Sequence, residues 1–217
     1  MPPEDPLRRT LEERLSVARL RPYRQAVGGD LESALALYAW NTLAAGAFFE
    51  DLGHLEVVLR NALHTELAAW HATNRRPGHW YDDPDGLLAP QRLDDIAAAR
   101  QRLSRSRQVE TSGKIVAELT FGFWRFLLDK RYQTTLWAPA LRHAFPHLTP
   151  RNRTLVYEPL DRLHRLRNRI AHQEPIHHFA LSDQHNDLLR LVGFIDPTVQ
   201  AWVASGSRVP KILAARP

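Results

Sequence analysis

Apolar residues in this chain recur at three- and four-residue intervals, and almost nowhere in strict alternation, so the pattern predicts helix after helix. After a Pro-rich, charged tip, a short helix is expected around Glu13 to Arg24, ended by Gly28-Gly29. Asp30 caps the next, Leu31 to Phe49, where Leu35, Tyr38, Thr42 and Phe49 stand among many alanines. Asp51 reads as the cap of a third helix, Leu52 to His71. Its Leu55, Val58, Leu59, Ala62, Leu63 and Leu67 leave little polar surface, so this helix is expected at the centre. A loop rich in Pro, Gly and Asp follows, from Thr73 to Pro90.

Beyond that loop, Leu93, Ile96 and Leu103 mark a narrow stripe on a helix from Pro90 to Arg107. A helix opening at Ser112-Gly113-Lys114 is expected to run through the aromatic stretch Phe121, Phe123, Trp124 and Phe126 to Tyr132. A short helix around Trp137 and Leu141 ends at Phe145-Pro146, and Thr149-Pro150 has the form of a cap followed by proline at the first helical position. Leu163, Leu166 and Ile170 share an apolar side on the helix that follows. Ser182 to Phe194 and Pro197 to Ala204 close the chain, with a loosely held tail to Arg216. The fold class expected is all-α, in one domain over residues 1–217 with its core at about 30–195.

The helix ending near His172 carries the most unusual chemistry. On a helical wheel Arg167 falls at about the angle of Leu160, on the core-facing stripe. An arginine there cannot shed its proton and is costly to bury alone, so it should meet an anion, a carboxylate or a phosphate. Asn168 lies on the adjoining side, with Asp161 and His172. Glu174 precedes Pro175 and is biased out of the helical region, which places His172 at a frayed helix terminus.

Composition adds a basic balance: the net charge is +5 and comes almost wholly from 26 arginines, since Lys114, Lys130 and Lys211 are the only lysines. That bias suits phosphate binding and suits equally a GC-rich coding sequence. No cysteine is present, which excludes disulfides and cysteine-ligated zinc or iron-sulfur sites. No apolar segment is long enough to span a bilayer and none near the start has the form of a signal core, so a soluble, cytoplasmic protein is expected. The lone Gly113-Lys114 is not a phosphate-cradling loop, because Gln108 stands where the upstream glycine is required. His177-His178 beside His172 lacks a carboxylate at ligand-like spacing, so neither a metal nor any other cofactor is expected.

A second cluster lies on the central helix, where Glu56, Arg60 and His64 follow one another at i, i+4 beside Asn61. It reads either as part of an active site or as an internal pair, Glu56 with Arg60, holding the helix beside a core or capping histidine. Glu56 is also available to orient Arg167. Arg75 and Arg76, with His79, Trp80 and Tyr81, mix cations with aromatics as base-stacking surfaces do, or pack back as an anchor. Arg100, on the arginine-rich helix, and Arg151 and Arg153, near the expected helix start, are further candidate phosphate contacts.

The form Arg167-Asn168-x-x-x-His172 followed by Gln173-Glu174-Pro175-Ile176 resembles the signature of the HEPN ribonucleases, and within them the Abi-like (abortive infection) proteins of bacteria. The bare pattern of Arg, four to six residues, then His should arise roughly four times by chance in this composition. It occurs from Arg167 and from Arg165 to His172, and from Arg142 to His147; the last has no Asn and has Pro146 inside the spacing. Glu118-Leu119-Thr120-Phe121-Gly122-Phe123-Trp124 is a second family-like stretch. The resemblance implies a HEPN-like helical bundle, with a four-helix core and added helices. It also implies a metal-independent endoribonuclease toxin acting on RNA, a homodimer that joins two motifs, and a neutralising protein or RNA antitoxin; the alternatives are a HEPN-like module that binds RNA or a nucleotide without cutting, and a structural helical protein whose Arg167 satisfies a core carboxylate. Arg167 would bind the scissile phosphate, His172 would be the acid or base, and Asn168 would orient one of them. Glu174 stands where some family members carry a modified tyrosine, so that form of control is not implied here.

Overall fold

The computed structural model of the chain describes residues 6–217; the Pro-rich tip over residues 1–5 lies outside them, and no strand occurs among the described residues. The N-terminal helix expected as one piece is two, α1 (Pro6–Leu15) and α2 (Val17–Ala26), divided at Ser16, whose φ of 76° no helix can accommodate and whose side chain caps α2. Gly28 and Gly29 both take positive φ and turn the chain after α2, as their pairing predicts. Asp30 caps α3, accepting from the Ser33 amide at 2.7 Å.

The two helices expected from Leu31 to Phe49 and from Leu52 to His71 are one element, α3 (Leu31–Thr73), of 43 residues. Leu37, Ala44, Phe48, Leu52, Leu55, Leu59, Leu63 and Leu67 form an unbroken buried stripe through the expected junction. Asp51 does not cap a helix. Its carboxylate, only 3% exposed, accepts from Ser207 Oγ at 2.6 Å and lies 3.4 Å from His185 Nε2. With partners supplied by other helices, it makes no demand on first-turn amides and the helix runs on. The face expected to be buried is also rotated: Thr42 and Phe49 are exposed, because Leu37, Trp40 and Phe48 take the core side.

Trp80 and Tyr81, in a 3₁₀ turn of the following loop, are buried anchors. On α4 (Pro90–Arg105) the buried stripe is Ile96, Ala99 and Leu103, while Leu93 points outward. The helix expected from Ser112 to Tyr132 divides into α5 (Ser112–Glu118) and α6 (Phe121–Leu127). Leu119 is extended at the break, and Thr120 caps α6 by accepting from the Phe123 amide at 3.4 Å. Short 3₁₀ and π-helical turns then carry the chain to Thr149-Pro150.

That Thr-Pro pair is not a helix start: its peptide bond is cis, and α7 (Thr154–Ala171) begins four residues later. α8 (Leu181–Ile195) packs on both α7 and α3, and α6 packs on α3 and α7, so the motif helix is surrounded by core elements. α9 (Pro197–Gly206) and α10 (Val209–Ala214) complete the chain. The tail expected to be loose is docked: Val209 is buried and Trp40 Nε1 donates to the Ile212 carbonyl at 2.7 Å. No helix among the described residues is long and apolar enough to cross a membrane.

Candidate functional site

Val156, Pro159, Leu160, Leu163 and Leu166 give α7 its buried side, and a polar flank runs beside it through Asp161, His164, Asn168 and His172. The helix ends at His172, the position that the Glu174-Pro175 pair marks in sequence. The end is not frayed. Gln173 adopts the left-handed conformation, its amide donates to the Ile170 carbonyl at 2.9 Å, and the Glu174 amide donates to the Arg169 carbonyl at 2.8 Å. This pair of bonds is a Schellman closure, which satisfies carbonyls that a helix end otherwise leaves open.

The closure is held from outside as well. Arg19 donates to the Gln173 carbonyl, Arg169 Nε donates to the Pro175 carbonyl at 3.1 Å, and Asn41 Oδ1 accepts from the amides of Ile176 and His177 at 2.8 and 3.1 Å. These contacts come from α2, α7 and α3. They fix the backbone that presents His172, whose side chain is exposed and has no hydrogen-bond partner among the described residues.

Arg167 is half-buried and forms no hydrogen bond or ion pair with a described residue. The carboxylate facing it is Glu56 of α3. Burial raises the Glu56 pKa, and Arg167, then Arg60, then the Phe121 amide oppose the rise. The carboxylate that the buried arginine was expected to meet is therefore present, though the two groups do not close into a pair. Arg60 Nη1 donates to the Ala117 carbonyl at 3.4 Å, and its Nε is buried without an acceptor. Glu56 thus lies toward Arg167, and the internal Glu56–Arg60 pair that the sequence offered as one reading does not close into an ion pair.

Asn61 and His64 part company with them. Asn61 is exposed, and His64 Nδ1 accepts from Trp80 Nε1 at 2.9 Å, so it anchors the loop after α3. Burial lowers the His64 pKa, keeping it the neutral acceptor this bond requires.

The outlying arginines divide in the same way. Arg76 lies over the Trp70 ring at 4.3 Å and pairs with Asp85; Arg100 pairs with Asp82 and with Glu110 at 3.2 Å. Arg153 does stand at a helix start, as the residue before α7, but its side chain is buried, donating to the Leu128 carbonyl at 2.7 Å and to Gln133 Oε1 at 2.9 Å. These three serve the fold. Arg75 and Arg151 are exposed with no side-chain partner among the described residues. His177 is buried against Tyr23, and His178 stacks on Phe179.

Sequence reasoning left out His164. It lies one turn before Asn168, with its Nε2 at 3.5 Å from Asn168 Nδ2 and its ring centroid 6.0 Å from that of Phe121. Arg125 of α6, which joins Asp161 and donates to the Tyr157 hydroxyl at 2.9 Å, was also missed. The i−4 spacing from Asn168 was the available signal for His164; nothing local marks Arg125, whose partners come from another helix.

No family model matches this chain, and no curated protein or solved structure does.

Proposed function

We propose that this chain is a metal-independent endoribonuclease of the HEPN type, acting as the toxin of an abortive-infection or toxin-antitoxin system, with α3, α6, α7 and α8 as its HEPN-like four-helix core. One observation carries the reading: a rigidly closed helix end bears an exposed imidazole, His172, one turn after Asn168 and five residues after Arg167, a guanidinium with no ion-pair partner among the described residues. Half-buried beside Glu56 but not closed into a pair with it, this guanidinium keeps donors free for a substrate phosphate.

In this reading His172 takes the proton from the ribose 2'-hydroxyl and O2' attacks the phosphorus. Arg167 stabilises the charge that develops on the phosphorane oxygens. The bond to the 5'-oxygen breaks, that oxygen takes up a proton, and the products carry a 2',3'-cyclic phosphate and a 5'-hydroxyl. One imidazole serves one side of the phosphate, so the other proton comes from the same position of a second copy, and the functional unit is a homodimer. A neutralising protein or RNA would act by covering this helix end.

The test is product chemistry. Purified protein with EDTA and end-labelled RNA should yield fragments that carry a cyclic phosphate and a free 5'-hydroxyl. Intact RNA, or fragments with a 5'-phosphate, would refute the proposal.

A further inference from the structure

His164 has more built around it than its place in the sequence suggests. Gly122, the second residue of α6, sits in an ordinary helical conformation that does not call for glycine. The reason for glycine is spatial: a Cβ at this position would stand 3.1 Å from His164 Nε2 and 3.7 Å from Thr120 Oγ1. The backbone of α6 is thus pressed against one edge of the imidazole, and the Phe121 ring lies alongside. The same edge carries the contact with Asn168, Nδ2 to Nε2 at 3.5 Å.

We infer that His164 is a positioning residue for the site at the end of α7: its Nε2 accepts from Asn168 Nδ2 and thereby sets the plane of the Asn168 carboxamide. With the amide nitrogen turned toward His164, Asn168 Oδ1 faces the other way and is left to accept from the substrate 2'-hydroxyl or from His172, one turn further on. The assignment of this role rests on the ribonuclease reading above; the contact itself does not.

The surroundings suit an acceptor. Burial lowers the His164 pKa, and Arg125 of α6, then Arg167 and Arg165 of α7, add to the lowering while Asp161 opposes it. A neutral ring with its proton on Nδ1 is the form that can receive a hydrogen bond at Nε2. His164 does not itself reach the reacting atoms: eight residues of helix separate it from His172, about 12 Å along the axis.

Two measurements test this on the whole protein. Long-range ¹⁵N–¹H spectra of histidine-labelled protein at neutral pH should show His164 with Nε2 unprotonated, and Asn168→Ala should shift that nitrogen. A protonated Nε2, or one indifferent to Asn168→Ala, would overturn the contact whether or not the protein cuts RNA. In the cleavage assay His164→Ala should lower kcat by about 10- to 100-fold with little change in KM or melting temperature. His164→Gln, which keeps an acceptor, should recover much of the activity, and His164→Leu should not. An active His164→Ala protein would overturn the positioning role, whereas a wild-type protein that cuts no RNA would overturn the ribonuclease reading and leave the spectroscopic result to stand.

Discussion

Glu56 and Arg167 face one another across α3 and α7, and each makes the other tolerable where it lies. Burial pushes the carboxyl upward, and Arg167 is the foremost charge holding it down. Replacing Arg167 with Ala should therefore raise the Glu56 pKa further, read from its carboxyl ¹³C shift; an unchanged titration would show that the two groups do not interact. The sign for stability follows from linkage: a carboxyl raised above its ordinary 4.5 binds more protons folded than unfolded, so its contribution declines as pH rises from 4.5 through the folded value. At this scale local backbone chemistry was readable in some places and not in others: Thr149-Pro150, read as a helix start, precedes α7 by four residues. Glu174-Pro175 marked the end of α7, and the wheel put Arg167 on the side of the helix where Glu56 lies. Arg153 shows what could not be read. Its acceptors, the Leu128 carbonyl and Gln133, lie 25 and 20 residues away, and only the fold brings them to it.

Element boundaries follow the same division. Asp30, Thr111 and Thr120 each cap a helix, because a side-chain acceptor was locally in place for a first-turn amide. Asp51 has the same side chain as Asp30 and caps nothing, since Ser207 and His185 take its carboxylate into the core. Phase was the other element-scale error. Counting Leu35 and Phe49 as core while passing over Trp40 and Phe48 rotated the first half of α3, and the small alanines between gave no correction. The Asp51 cluster also ties the α9–α10 junction to the middle of α3. Removing the hydroxyl by Ser207→Ala leaves the buried carboxylate short of a donor, which costs about 1–3 kcal/mol. A lower urea midpoint with unchanged helical circular dichroism is expected; a neutral substitution would mean that the C-terminal helices are not held there.

Across the whole molecule, His64, His164, His177 and His178 all have pKa values lowered from the ordinary 6.5, with burial the first cause in each. Each binds its proton less readily folded than unfolded, so stability is full above 6.5 and declines as pH falls below it. The urea midpoint should drop between about pH 7.5 and pH 5.5, and a flat profile would contradict the neutral assignments. The basic net charge was legible in composition, but its distribution was not. With Arg76, Arg100 and Arg153 engaged internally, RNA affinity should respond to charge reversal at exposed Arg75 and Arg151. Each guanidinium that holds a phosphate should, when reversed, flatten the log-salt slope of binding by about 0.7.

The central claim is that the end of α7 acts on RNA chemically rather than only supporting the fold. His172 is exposed at a closed helix terminus, so His172→Ala should leave the melting temperature and helical signal almost unchanged. The most direct measurement compares RNA cleavage by the parent, His172→Ala and His147→Ala proteins with EDTA present, His147 being the histidine of the chance match. Loss of cleavage in His172→Ala alone is the predicted result; a His172→Ala protein that cuts RNA as well as the parent would contradict it.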